Sequence, residues 1–500
     1  MNTLNKNILA NYIGKLWSFV SIFIFIRFYI DILGIQSYAI INFYSVILGL
    51  LAFADSGLTA TLNRELAQEN SIQDKSDLVY TFERIYLGIC LLVIGLVIIL
   101  SDYMATNSLQ SELYTPNEIS YFIKLIGIGI GVQLFSTLYE GGLMGLQKQV
   151  LANKIKVFWS LFRSGIVIIP LLFFPTLEFY FIWQILCNVV LLILFRKFLW
   201  KELKFRKMPV FSTMLLKKIW KYALGMMGIA LISAINIQID KLVTSRLLDL
   251  KYFGFYSLAT TIAQVPLLVA TPIIAAVFPI FSMLVSTNNL VEKRDNFHKF
   301  SFIITLITAP IALCVFLYSI PLVSLWTGDI NIANNISLTV KILIIGGFFL
   351  CLQLIPYYVA LANGHTKINI VTGIFGLFLV VPLMIYSVGK YGMIGASFPW
   401  LLINFLSFLI ISVYIINRFL PKQIFKWISQ DILAPTFVTI LVGVIVYFLM
   451  RNANGKYWFL LEIGLITIIS LICNVLLYNK KNQHRNLFDF NSVKIKFLRK

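Results

Sequence analysis

The feature that most constrains this chain is the recurrence of apolar runs of about 20 residues, each long enough to cross a ~30 Å hydrocarbon core as a helix. Fourteen such runs are read at roughly 8–32, 36–62, 80–101, 118–144, 152–173, 177–197, 217–246, 252–284, 297–324, 335–361, 367–388, 393–417, 431–450 and 457–478. The composition agrees: 59% of the 500 residues are hydrophobic and 12% charged, against about 45–50% and about 25% in soluble domains. A soluble globular protein, a disordered chain and a coiled coil are excluded. The expected fold class is all-α, a polytopic membrane protein with about 14 transmembrane helices. The loops are short, and none could house a second, soluble domain. The first apolar run is long, holds Arg27 and lacks a small-residue cleavage site. It is therefore expected to remain as the first span.

Charge sets the topology. With the N-terminus inside, the inner segments hold 29 Lys and Arg and the outer loops 5, with seven in the spans. The block Arg196 to Lys221 supplies nine of the inner ones and the tail Lys480 to Lys500 seven. This positive-inside split places both termini in the cytoplasm and requires an even number of spans. The net charge of +20 is thus a topology signal, with anionic lipid as a second contact. No nucleic-acid partner is expected.

A weak repeat runs through the chain. Residues 33–39 align with 248–254, Lys124 with Lys341, Gly129 with Gly346, Tyr139 with Tyr357 and Asn153 with Asn369, all at offsets of 215–218. Six spans per copy give two parallel repeats plus two C-terminal helices. The expected division is an N-terminal six-helix bundle over 1–205, a C-terminal one over 206–420, and two extra helices with a basic cytoplasmic tail over 421–500. Two parallel bundles around one cavity can alternate access to the two faces of a membrane.

Charges inside spans mark function or pairing, because each costs ~2.5–3.5 kcal/mol at the bilayer centre even on insertion scales. Arg27, Lys124, Arg163, Lys241 and Lys341 are read as a cationic, substrate-facing cavity. Arg27 and Lys241, and Lys124 and Lys341, occupy matching places in the two repeats. Such a lining suits an anionic ligand, which Arg can grip bidentately. The alternative is structural pairing, such as Arg27 with Asp55 or Arg163 with Glu140. Asp55, Glu140 and Asp240 are candidates for proton or cation coupling, with static ion pairs as the alternative. Lys15 and Glu462 read as snorkelling to an interface, and Glu83 and Arg84 as interfacial. Three His and five Cys argue against a metal-dependent or thiol enzyme, and the Cys (90, 187, 314, 351 and 473), inside apolar runs without CxxC spacing, read as packing residues. No metal site, cofactor or catalytic residue is expected.

Three segments resemble a known family. AlaAspSerGlyLeuThrAlaThrLeuAsnArgGluLeuAla at 54–67 resembles the second-span signature of the polysaccharide biosynthesis membrane proteins, the Wzx-type O-antigen flippases. Residues 240–259, beginning AspLysLeuValThrSerArg, are similar to their seventh-to-eighth-span signature, with Asp249 where Gly is usual. TyrGlyMetIleGlyAlaSer at 391–397 is similar to the turn before their twelfth span. The resemblance implies the multidrug/oligosaccharidyl-lipid/polysaccharide exporter fold. It further implies a flippase that moves a polyprenyl-pyrophosphate-linked oligosaccharide (an O-antigen, capsule or exopolysaccharide repeat unit) from the cytoplasmic to the outer leaflet. The implied setting is the bacterial inner membrane. The implied partners are the undecaprenyl-pyrophosphate-linked oligosaccharide, membrane lipids, and the polymerase and chain-length machinery. Rival readings are a lipid II-type flippase and a drug or cation antiporter of the same fold. The antiporter should be acid-rich, whereas these spans hold seven bases and five acids. A membrane glycosyltransferase or polymerase would need a large outer loop or acids at its mouth.

Overall fold

The computed structural model describes residues 17, 20–21, 23–68, 71–203, 207–287, 289–365, 367–450, 457–481 and 487. Lys6, Lys15, Lys204, Arg206, Arg451, Lys456 and the basic tail beyond Lys481 lie outside the described residues.

Every regular element among the described residues is a helix. Hydrocarbon leaves little choice, since a helix satisfies its own backbone groups. Among the described residues eleven helices are long and apolar enough to cross a membrane, a number consistent with fourteen crossings once three local breaks are counted. Residues Gly376–Phe419 form one stretch of 44 residues, about 66 Å at 1.5 Å per residue, or twice the hydrocarbon core. Gly392, at φ +58° and ψ −137°, breaks it where the sequence divides the eleventh and twelfth runs. Gly34, at φ +81°, likewise divides Phe23–Asp55 between the first and second runs. The fifth run is split into Gln149–Ser160, a π-helical turn Leu161–Ile166 and Ile168–Leu171. The third run is longer than its apolar stretch because Ser71 caps it early, accepting from the Asp74 amide at 3.1 Å.

The chain divides into two compact units. The first holds residues 1–257, 326–328 and 373–393. Its main helices are α1 (Ile35–Ala67), α2 (Ile72–Asn107), α3 (Pro116–Gly145), α4 (Gln149–Ser160), α5 (Leu177–Leu203) and α6 (Thr213–Leu247). A capping box starts α3: Glu118 accepts from the Thr115 amide at 2.8 Å, and Pro116 follows the cap. This helix touches α1, α2, α4 and α5, while α6 runs along α1. Small residues permit that approach. A Cβ on Gly127 would stand 2.8 Å from Val97 of α2, and one on Gly142 would stand 2.6 Å from Leu199 of α5.

Glu83, expected near an interface, is enclosed by other helices. It is buried, and it accepts from Tyr139 Oη at 2.7 Å, Trp200 Nε1 at 2.7 Å and Arg196 Nε at 3.3 Å. One carboxylate therefore joins α2, α3 and α5, each donor relieving the cost of its burial.

The second unit holds residues 258–325, 329–372 and 394–500. Its helices include α7 (Val265–Ser286), α8 (Leu290–Leu317), α9 (Ile330–Leu352), α10 (Leu354–Ala362), α11 (Ala434–Met450) and α12 (Trp458–Lys481). α8 touches α7, α9, α11 and α12. Phe281, Phe297 and Trp427 are fully buried in its core. His298 of α8 lies with Nδ1 2.5 Å from Asp431 Oδ2 and Nε2 2.9 Å from Gln423 Oε1. That contact ties the π-helical turn Trp427–Leu433, which leads into α11, onto α8.

Two outcomes test this packing. A Cβ at Gly145 would stand 2.8 Å from the Asn63 carbonyl oxygen and 3.1 Å from its Cα, and backbone cannot swing aside. Gly145→Ala is expected to cost about 1–3 kcal/mol, read as a lower Tm in detergent. Gly95→Ala, with nothing within 4 Å, should not lose stability. Equal melting of the two variants would refute the close contact. Glu83→Ala should cost about 2–3 kcal/mol, because it orphans buried donors. Arg196→Ala should cost less than about 1 kcal/mol, because its side chain is 59% exposed. The reverse order in thermal denaturation would refute the buried joint.

Candidate functional site

Arg163 sits on the π-helical turn Leu161–Ile166. A π turn inserts a residue into the helical ladder and replaces its regular bonds locally by i→i+5 bonds. Here three consecutive carbonyls are met from other helices. Trp183 Nε1 donates to Phe162 O at 3.1 Å, Gln184 Nε2 to Arg163 O at 3.0 Å, and Tyr29 Oη to Ser164 O at 2.5 Å. Arg163 Nε donates back to Gln184 Oε1. Its guanidinium carbon lies 5.4 Å from the Tyr44 ring centroid and 4.9 Å from that of Trp159, within cation–π range.

A bank of amides and hydroxyls continues from this point. Asn188, fully buried one turn beyond Gln184, donates to Gly129 O at 3.0 Å and to Tyr44 Oη at 3.3 Å. Tyr44 Oη donates to Gln133 Oε1 at 2.6 Å. Such groups can exchange hydrogen bonds with sugar hydroxyls.

Arg27 lies on the helix before Gly34, with Nε 3.7 Å from Asp31 and both side chains about half exposed. That helix also carries Tyr29, and its Phe25 packs on Gly165, where a Cβ would stand 2.9 Å from the ring. Arg27 and Arg163 therefore stand on elements in direct contact. The expected alternative pairings are not formed. Glu140 pairs with Lys156 at 2.7 Å, and Asp55 accepts from Thr59 Oγ1 and Tyr86 Oη. Among the described residues no carboxylate pairs with Arg163.

The other cations have different settings. Lys124 Nζ is 3.5 Å from Asp102, with side chains 40% and 78% exposed. Lys241 is half-buried beside Asp240, whose carboxylate accepts from Tyr256 Oη at 3.1 Å. Lys341 belongs to the second unit, 5.7 Å from the Phe316 ring centroid. Sequence reasoning passed over Gln184, Asn188, Gln133 and Tyr44. The available signal was two amides, Gln184 and Asn188, one helical turn apart in an otherwise apolar span.

Residues 4–285, more than half of the chain, match the family described as polysaccharide biosynthesis protein. A putative O-antigen transporter of Shigella flexneri is 24% identical over 369 residues, spanning 74% of this chain and 87% of that protein. The teichuronic acid biosynthesis protein TuaB of Bacillus subtilis is 22% identical over 349 residues, spanning 67% of this chain and 68% of its own length. The lipid II flippase MurJ, in an inward closed conformation, shares the fold with a TM-score of 0.72 over 95% of this chain and 99% of its own, at 14% identity. With the match over residues 4–285 and a multi-pass helical fold shared with MurJ, the chain belongs to the polysaccharide biosynthesis protein family.

Proposed function

We propose that this protein is a flippase, without covalent chemistry, for a polyprenyl-pyrophosphate-linked oligosaccharide, the repeat unit of an O-antigen, capsule or exopolysaccharide. It carries the unit from the cytoplasmic to the outer leaflet by alternating access. A pyrophosphate and its sugars cannot cross hydrocarbon unaided, whereas a prenyl tail can stay in lipid. The protein need therefore shield the headgroup alone. The O-antigen and teichuronic acid relatives support a lipid-linked glycan as cargo. The observation that carries the reading is Arg163. It lies on the fifth apolar run, beside a bank of amides and hydroxyls, and no described carboxylate neutralises it. An arginine so placed favours a phosphate-bearing ligand over a cation.

Arg163 and Arg27 meet the pyrophosphate in this proposal, with Lys124 and Lys241 as further headgroup contacts. Asp55, Glu140 and Asp240 remain the candidates for ion coupling. The protein resides in the bacterial cytoplasmic membrane with both termini inside, where the polymerase and chain-length machinery can receive its product.

A deletion strain tests the role. Loss of surface polymer, with lipid-linked repeat units held in the inner leaflet, is the expected result. Units that reach the outer leaflet unpolymerised would point to a polymerase instead. Arrested wall growth without loss of a dispensable polymer would point to a lipid II-type flippase. An unchanged glycan profile would point to a small-molecule antiporter. Arg163→Glu, expressed in that strain, is expected to reach the membrane and fail to restore surface glycan. Full restoration would overturn the cationic reading.

A further inference from the structure

The contacts of Arg163 contain a reciprocal pair that its role as a bare cation does not require. Gln184 uses both ends of its amide on one residue: Nε2 donates to the Arg163 carbonyl at 3.0 Å, while Oε1 accepts from Arg163 Nε. Gln184 is 2% exposed, so this geometry is held by packing and not by solvent. The same turn is gripped on either side, by Trp183 at the Phe162 carbonyl and by Tyr29 at the Ser164 carbonyl.

A guanidinium offers two kinds of donor edge, one through Nε and one across the two Nη atoms. Gln184 occupies the first. Tyr44 and Trp159 hold the cation against their rings. Among the described residues no acceptor is paired with the Nη atoms. What remains is the Nη1–Nη2 fork, whose two parallel N–H groups match two oxygens of one phosphate.

We propose that Gln184 is the positioning residue of Arg163, pinning the π turn and the Nε edge so that the Nη fork is left for the anionic headgroup of the substrate. The inference rests on the flippase reading above and deepens it. Gln184 does not itself touch the headgroup. Its contribution is to remove the rotamer freedom that a long side chain would otherwise lose on binding. It also donates a hydrogen bond to the Arg163 carbonyl within the π turn. In an α-helical register the residue would turn to another face.

A binding cycle on the purified full-length protein in lipid nanodiscs tests this, with farnesyl pyrophosphate as the probe. Arg163→Ala is expected to weaken binding about tenfold or more, the scale of a charge-assisted hydrogen bond. Gln184→Ala should weaken it by a similar factor although the cation is still present. In the Arg163→Ala background, Gln184→Ala should change affinity less than about twofold, because two residues acting as one unit are not additive. A merely structural glutamine would not show that coupling. If both changes multiply independently, or if Gln184→Ala binds as the unaltered protein does, the positioning role is overturned while Arg163 keeps its own. If Arg163→Ala itself binds at full strength, the headgroup reading of Arg163 fails first. Should Gln184→Ala not fold, Gln184→Glu serves. Its carboxylate would pair with the guanidinium and compete with the pyrophosphate, so binding at least tenfold weaker is expected. Unaltered affinity in folded Gln184→Glu would overturn the proposal.

Discussion

Unsatisfied hydrogen-bonding groups are the expense that hydrocarbon imposes on this chain, and its architecture follows from avoiding it. Within the bilayer each backbone donor or acceptor left open costs several kcal/mol, so the described chain is helical throughout its regular elements. At one place where a helix departs from the regular ladder, side chains from other helices meet its carbonyls. At this turn, Leu161–Ile166, the donors are Trp183, Gln184 and Tyr29. The same rule governs the charges. Glu83 is surrounded by three donors, Glu140 is matched to Lys156, and Asp55 is held by two hydroxyls.

Much of the architecture was legible in the sequence because long-range physics writes it in long runs. An apolar stretch of about 20 residues needs no partner to be recognised as a span. The breaks at Gly34 and Gly392 were legible too, since only glycine takes their positive φ without strain. The π turn was not legible. Nothing in LeuPheArgSerGlyIle forbids a regular helix, and the three side chains that donate to its carbonyls come from elsewhere in the chain. That is information of tertiary structure. The burial of Glu83 was not legible for a similar reason. Its place near the start of a span suggested an interface, while its burial depends on Tyr139, Arg196 and Trp200, up to 117 residues away.

The charged residues separate along the same line. Type and depth in the span made Arg27, Lys124, Arg163, Lys241 and Lys341 look equivalent. The structure makes them unequal. Lys124 answers a nearby acid on the outside of its unit. Arg163 answers an amide, two aromatic faces and no described acid. Neutral partners orient a cation without cancelling its charge, whereas a carboxylate does both. A site meant to receive and then release an anion needs the first kind of partner.

Release matters as much as capture in a carrier. A guanidinium fully paired with protein carboxylates would bind no headgroup, and one wholly unrestrained would lose rotamer entropy at each binding event. Gln184 places Arg163 between these limits, with one edge fixed and one edge left over. The surrounding Tyr44, Asn188 and Gln133 are already hydrogen-bonded to one another, so they would meet sugar hydroxyls by exchange and not by bare desolvation. Exchange of this kind changes free energy little in either direction. Affinity for the headgroup would then rest mainly on the cation, with tolerance for the sugars attached to it.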